Sequence, residues 1–205
     1  MGFYRDQILP RVIDKALGSG EIMGYRGEVT EGLTGEVVEI GFGSGLNMAA
    51  YPPEVSKVYA VDPAVVGRKL AADRVAAADA EVEYVGLDGQ ALPLDDDSCD
   101  GALSTFTLCT IPDESAGLDE LRRVVKPGGA IHLLEHGLSR DEKVQRWQHR
   151  ITPIQRRLFD GCHLDRDHVA MVEAAGLEVE STKEWYAKGP KAVSAFYLMR
   201  CRVPG

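Results

Sequence analysis

From Glu36 onward, short apolar runs alternate with longer stretches of helical periodicity. Val37, Val38 and Ile40 form a near-continuous apolar run, which predicts a strand buried on both faces and ending at Gly41. Lys57–Val61 predicts a second strand, stopped by Asp62-Pro63, and Pro63 suits the first turn of a helix over Val65–Ala78 with apolar repeats at Val66, Leu70 and Val75. Glu81–Val85 alternates as a third strand, followed by a loop over Gly86–Asp97 whose acidic tip Asp95-Asp96-Asp97 reads as a solvated turn. Asp100–Thr105 and Ala130–Leu134 supply a fourth and a fifth strand. Between them lies an amphipathic helix, Asp113–Val125, closed by Lys126-Pro-Gly-Gly129.

The remaining elements are read the same way. A helix beginning near Leu46 must be short, because Pro52-Pro53 cannot continue it. Arg140–Phe159 predicts a helix interrupted at Pro153, and Arg166–Ala175 another that closes at Gly176. Leu177–Glu184 and Ala192–Arg202 are strand-like and joined through Lys188-Gly189-Pro190, which predicts a terminal antiparallel pair. Upstream, Ile8, Val12, Ile13 and Ala16 give Gln7–Leu17 helical spacing. The pattern predicts an α/β fold: a mostly parallel seven-stranded sheet with a C-terminal antiparallel strand pair and helices on both faces. Residues 1–35 are expected to be a helical lid or edge, and residues 36–205 the main domain.

Composition narrows the function. With 205 residues, 44% of them hydrophobic, the chain suits one ordinary domain. A net charge of −9 argues against general binding to phosphate backbones, so no nucleic-acid partner is expected. The charge is uneven, since residues 136–205 carry twelve Lys and Arg against nine Asp and Glu, which suits an anionic ligand there. No stretch approaches the ~20 apolar residues of a membrane span, and residues 1–20 lack an apolar signal core. The four cysteines (Cys99, Cys109, Cys162, Cys201) form no CxxC and no tight cluster, so neither a disulfide framework nor a zinc site is written into local spacing. The expectation is a reduced, cytoplasmic protein without integral membrane association and without a metal.

The strongest chemical signal is Glu39-Ile-Gly41-Phe-Gly43-Ser-Gly45 at a strand end, with Asp62 closing the next strand. Glycines let the backbone approach a ligand, and an acid about 20 positions on accepts both hydroxyls of a ribose. A dinucleotide fingerprint needs glycine three positions after the middle one, where Leu46 stands. Glycine at every second position, with an acid before the first, fits a nucleoside without pyrophosphate. The bland alternative is a tight glycine turn with no ligand.

Further stations follow in order: Asp88-Gly89-Gln90 after the third strand, Thr105-Phe-Thr-Leu-Cys109 at the end of the fourth, and Pro127-Gly-Gly129 before the fifth. Over about Glu36–Val203 this set resembles the class I S-adenosylmethionine-dependent methyltransferases, whose fold is Rossmann-like. The resemblance implies S-adenosyl-L-methionine as the cofactor and S-adenosyl-L-homocysteine as its product. It implies that Gly41, Gly43 and Gly45 pass under the amino-acid part of the donor, and that Asp62, with Pro63 beside it, holds the ribose. Asp88, with Gly89 and Gln90, meets the adenine amino group, and Thr105 lines the methyl-transfer point. Tyr51-Pro-Pro53, Thr107-Leu-Cys109, Glu135-His136 and Leu158-Phe-Asp-Gly-Cys162 are similar, more narrowly, to the alkyl thiol S-methyltransferase group. Animal members of that group are tethered to membranes by an apolar N-terminal segment, whereas this chain begins with a charged amphipathic stretch. The motifs are also shared with phospholipid and quinone methyltransferases, which leaves N- or C-methylation of a lipid headgroup or quinone open beside a thiol acceptor. A donor-binding protein without catalysis is the alternative outside enzymes. A nucleic-acid methyltransferase is disfavoured by Thr105-Phe-Thr-Leu, which stands where an Asn/Asp-Pro-Pro-aromatic tetrapeptide would be.

Methyl transfer from a sulfonium is an in-line displacement, and holding the nucleophile and the methyl at ~3–3.5 Å supplies most of the help. A thiol acceptor adds a demand, because the thiolate is the competent form and free thiols have a pKa of about 8.5. His136, at the end of the fifth strand, is the candidate base or substrate-orienting group, against a structural histidine bracing the next loop. Asp160 and His163, after the interrupted helix, are candidates for a cap over the cleft, or for a turn pinned by the aspartate. Cys109 and Cys162 read as core residues rather than nucleophiles, and His163 and His168 lack carboxylates in ligand register. Arg146, Arg150, Arg156 and Arg157 form either a basic rim or a solvated face with Trp147 packed inward. Tyr25-Arg26 either closes over the donor or packs at the sheet edge.

Overall fold

The computed structural model describes residues 4–205, apart from the side chains of residues 5 and 6. Seven strands form one sheet: β1 (Gly35–Ile40), β2 (Val55–Val61), β3 (Glu81–Gly86), β4 (Cys99–Thr105), β5 (Val125–His136), β6 (Glu178–Tyr186) and β7 (Ala195–Arg202). Their spatial order is β3-β2-β1-β4-β5-β7-β6, with β1 to β5 parallel and β7 antiparallel to both of its neighbours. The helices are α1 (Leu9–Leu17), α2 (Gly20–Thr30), α3 (Val65–Ala76), α4 (Glu114–Val124), α5 (Glu142–Leu158), α6 (His168–Ala174) and the single turn α7 (Lys191–Ser194). Chain order reverses between β1 and β4, and Ile40 at the end of β1 lies opposite both Val61 and Ser104. Three strands therefore finish level, and the loops after them open on one edge, where ligands bind in open α/β sheets.

Strand alternation decides what lies on each face. Val38 and Ile40 pack with Leu118, Leu121 and Val124 of α4 and Val172 of α6. Val37 packs on the other side with Val29 of α2, Ala71 of α3, and Val58, Leu103 and Leu134 of the sheet. Each such side chain contributes about 1.5–3 kcal/mol on full burial. Glu39 shares the face of Val37, so a carboxylate is carried into the interior beneath α2. Asp113 caps α4 by accepting from the Ala116 amide at 3.1 Å, and Asp141 caps α5 by accepting from the Lys143 amide at 2.8 Å.

Three boundaries differ from the sequence reading. α5 runs unbroken through Pro153, which lies on the exposed face, where the carbonyl that loses its amide partner is open to solvent. The buried stripe of α5 is Val144, Gln148 and Thr152. Gln148 accepts from the Ser139 amide and donates to the Gly137 carbonyl, both at 2.9 Å. That register turns Trp147 outward, 58% exposed, with the Arg150 guanidinium 5.5 Å from its ring, so the inward-packed tryptophan is not found. Lys126-Pro-Gly-Gly129 does not separate α4 from a strand: β5 begins at Val125, its register slips between Cys99 and Gly101 of β4, and Gly128 adopts φ 77°. Residues 191–194 form α7 behind Pro190, and the last strand starts only at Ala195. Among the described residues no helix is long and apolar enough to cross a membrane.

Candidate active site

The bend after β1 is built on glycines. Gly41, Gly43 and Gly45 have φ of 73°, 54° and 69°, the left-handed region that side chains avoid. A Cβ on Gly41 would lie 1.8 Å from Thr107 Oγ1, so this residue is also fixed by contact. Gly67, in the first turn of α3, completes the packing, since a Cβ there would meet the Gly43 carbonyl at 2.8 Å. Lying outside the motif, Gly67 is a requirement that sequence spacing does not reveal.

Asp62, at the end of β2, is held by both oxygens: Oδ2 accepts from the Gly43 amide at 2.9 Å and Oδ1 from the Ala64 amide at 2.6 Å. Burial pushes its pKa above the ordinary value, partly offset by these two amides. Asp88 Oδ1 accepts from the amide and side chain of Gln90, both at 2.9 Å, and the side-chain bond leads in lowering its pKa. Gln90 Oε1 accepts from the Asp113 amide at 2.9 Å, which ties this turn to the start of α4.

Beneath the glycines lies a buried polar network. Asn47 donates to Glu39 Oε1 at 2.8 Å and to Thr105 Oγ1 at 2.9 Å, and Tyr51 donates to Glu39 Oε2 at 2.6 Å. Arg26 of α2 donates to Asn47 Oδ1 at 2.6 Å and to Thr105 Oγ1 at 2.9 Å. Burial raises the Glu39 carboxyl to about 7 and lowers the Arg26 guanidinium to about 10. One acid and one base thus sit side by side with their hydrogen-bonding neighbours already fixed.

A cavity of about 490 Å³ gathers Glu39, Gly41, Gly43, Asp62, Pro63, Asp88, Gly89, Gln90 and Thr105 on one wall system with Arg26 and Asn47. Gly45 shapes the bend from behind, where a Cβ would meet Ala71 at 3.1 Å and the Phe42 ring at 3.3 Å. Leu9, Pro10, Ile13 and Leu17 cover one side from α1, and Phe159, Asp160 and Gly161 cover another. Arg26 therefore forms part of the wall, whereas the Tyr25 ring packs 4.7 Å from Trp185.

Phe106 bounds the far end, with φ 55°, an uncommon conformation for a bulky residue and one often found at functional sites. Behind it His136 lies 5.2 Å from the Phe106 ring and 4.8 Å from Phe196. His136 does not line the cavity; its Nδ1 lies 4.0 Å from Cys162 Sγ, which is 3.8 Å from Cys109 Sγ. The Cys109 hydrogen bond and the nearby imidazole push Cys162 below the ordinary thiol range, and Cys109 is pushed above it. Glu135, fully buried, accepts from Ser104 Oγ at 2.7 Å and from the amides of Thr107, Leu108 and Cys109 at 3.0, 3.1 and 3.3 Å, fixing the loop after β4. Asp160 reaches the cavity, while His163 Nδ1 lies 3.6 Å from Asp165 and His168 donates from Nε2 to the His136 carbonyl at 2.6 Å.

Residues 38–133 match the methyltransferase domain family. The chain is 32% identical over 171 residues to a thiol S-methyltransferase of Rattus norvegicus, covering 80% of this chain and 66% of that protein. It is 38% identical over 103 residues to a demethylmenaquinone methyltransferase of Clavibacter sepedonicus, covering 48% of this chain and 40% of that one. A crystal structure of a candidate methyltransferase from Bacillus halodurans superposes with a TM-score of 0.73 at 19% identity, covering 91% of this chain and all of that one, which establishes the shared fold. The chain spans about two thirds or less of the length of these curated relatives.

Proposed function

The chain belongs to the S-adenosylmethionine-dependent methyltransferases, and from that premise we propose that it transfers the methyl group of S-adenosyl-L-methionine to a small apolar acceptor, a thiol. One observation carries the reading: a single cavity has a backbone-anchored carboxylate, Asp62, on one side and the adjacent Glu39 and Arg26 on another. The first suits a ribose diol. The second suits a zwitterionic amino acid, with its ammonium toward Glu39 and its carboxylate toward Arg26. Asp88, Gly89 and Gln90 are assigned to the adenine, Gly41 and Gly43 to the donor's amino-acid arm, and Thr105 to the neighbourhood of the sulfonium.

In this reading the donor's methyl faces Phe106, and the acceptor meets the aromatic group of Phe106, His136 and Phe196. Such walls favour an apolar molecule and exclude the water that would compete with it. The acceptor's thiol proton leaves to solvent, the lone pair of the resulting thiolate forms the new S–CH3 bond as the donor's S–CH3 bond breaks, and the sulfonium becomes a neutral thioether. His136 is assigned to orienting the acceptor rather than to general base catalysis, because its Nδ1 lies beside Cys162. Helix α1, whose side chains line the cavity, is assigned the role of lid.

The thiol draws support from the rat relative, which covers most of this chain. The Clavibacter relative supports a second acceptor, a quinone carbon. Purified protein incubated with methyl-labelled donor and, separately, an alkyl thiol, a demethylated quinone or an amine lipid tests both. Labelled thioether is the expected product. Label in the quinone or lipid alone would overturn the thiol assignment, and donor binding without label in any acceptor would overturn catalysis.

A further inference from the structure

Cys109, His136 and Cys162 come from three separate elements: the loop after β4, the end of β5 and the loop after α5. Their ligand atoms nevertheless all lie within 4.8 Å of one another. The two sulfurs are 3.8 Å apart, and His136 Nδ1 is 4.0 Å from Cys162 Sγ. A tetrahedral zinc ion with bonds of about 2.3 Å to sulfur and about 2.0–2.1 Å to nitrogen requires edges of about 3.8 Å between sulfurs and about 3.6 Å between sulfur and nitrogen. The group meets the first edge, and the His136 ring must move toward the two sulfurs to close the others.

The surroundings suit a cation of this kind. Both cysteines are buried, with Leu164, Ile151 and Val193 packed against them. A pair of thiolates there is costly without a positive partner, whereas two thiolates, one neutral imidazole and Zn2+ sum to zero charge. The backbone is fixed as well: the His163 amide donates to the Cys109 carbonyl at 2.7 Å, and Glu135 accepts from the Cys109 amide. Three protein ligands leave one tetrahedral position for a substrate or water.

We propose that Cys109, His136 and Cys162 hold a zinc ion whose fourth position takes the sulfur of the acceptor. The acceptor role rests on the thiol reading above; the metal site stands on the three residues alone. The site adjoins the donor cavity, because Thr107, Thr110 and Gly161, the chain neighbours of the two cysteines, line it. On coordination the acceptor's thiol proton leaves to solvent, as a metal-bound thiol is deprotonated. The coordinated sulfur then supplies the electron pair for the new S–CH3 bond, the donor sulfur keeps the pair of the bond that breaks, and the metal's oxidation state is unchanged.

The test uses the full chain, stripped with a chelator and titrated with Co2+, then with Zn2+. One equivalent of Co2+ should give thiolate-to-cobalt charge transfer and tetrahedral visible bands, which Zn2+ abolishes and which a small alkanethiol shifts. Cys162→Ser and Cys109→Ser should each weaken zinc binding at least about tenfold, and His136→Gln should alter the visible bands while keeping the charge transfer. Calorimetry with S-adenosyl-L-homocysteine on the same samples reports folding and donor binding. Donor binding with no charge-transfer band, or bands unchanged in all three variants, overturns the metal site and leaves methyl transfer standing. Bands that ignore the alkanethiol overturn the open position. The cobalt spectrum and its thiol shift without donor binding would overturn the methyl-transfer reading and uphold the site.

Discussion

The assignment of Glu39 to the donor's ammonium makes donor binding depend on pH. Burial lifts its carboxyl from 4.5 to about 7, so near neutrality roughly half of the free protein carries it protonated. An ammonium placed against it selects the carboxylate, so binding expels a proton wherever the free site holds one. Affinity for S-adenosyl-L-homocysteine should level off above about pH 7 and fall below it, by up to about tenfold per pH unit. The same shift acts on folding with a defined sign. The folded carboxyl binds its proton more tightly than the unfolded one, so this stabilisation is present below pH 4.5 and lost as pH rises through about 7, amounting to about 3 kcal/mol at most. Glu39→Gln keeps an oxygen for Asn47 and an amide for Tyr51, and should fold, bind more weakly and flatten both pH profiles. Calorimetry in buffers of different ionisation enthalpy measures the released proton directly. A parent affinity constant from about pH 6 to 8 with no proton release, or an identical slope in the Gln variant, would refute the assignment of Glu39 to the donor's ammonium.

On the assignment of Asp62 to the donor's ribose, Asp62→Ala would remove two charge-assisted bonds of about 1.5–3 kcal/mol each, so donor affinity should drop at least tenfold by calorimetry. Gly41→Ala places a Cβ on Thr107 as well as straining φ, whereas Gly43→Ala meets no atom closer than 3.8 Å. The former should lower the melting temperature far more than the latter, which should cost about 1 kcal/mol. Glu135→Leu strands three backbone amides and the Ser104 hydroxyl. It should destabilise the fold by about 3 kcal/mol or more in denaturant melts.

Elements carried by local pattern were legible in the sequence. The strands from Glu36 to Thr105 stand where apolar alternation puts them, because a parallel sheet covered on both faces leaves them no other partner. The glycine bend and Asp62 were legible for a similar reason: φ, spacing and charge are all written within one strand-loop-strand unit. Less was legible where the burying surface comes from elsewhere. Trp147 reads as an inward residue by its chemistry, but Gln148 claims the inward position by bonding the backbone of residues 137 and 139. Pro153 reads as a break, yet its lost bond falls on the solvent side. Arg26, Asn47 and Thr105 lie 21 and 58 residues apart in the chain and meet only once α2 is laid across the sheet. The Cys109, His136 and Cys162 group belongs to the same class, since no spacing rule joins residues from three crossovers.

The reversed strand β7 also sets the order in which the sheet is completed. It lies between β5 and β6, so among the described residues β6 has no partner in the sheet other than a strand that follows it in the chain. Residues 178–186 must therefore join as part of a hairpin with residues 195–202, and any fluctuation that frees the inner member also releases the outer one. In native-state hydrogen exchange the amides of the edge strand should never outlast those of the inner one, and loss of the hairpin would leave His136 at the open edge of β5, without Phe196 against its ring.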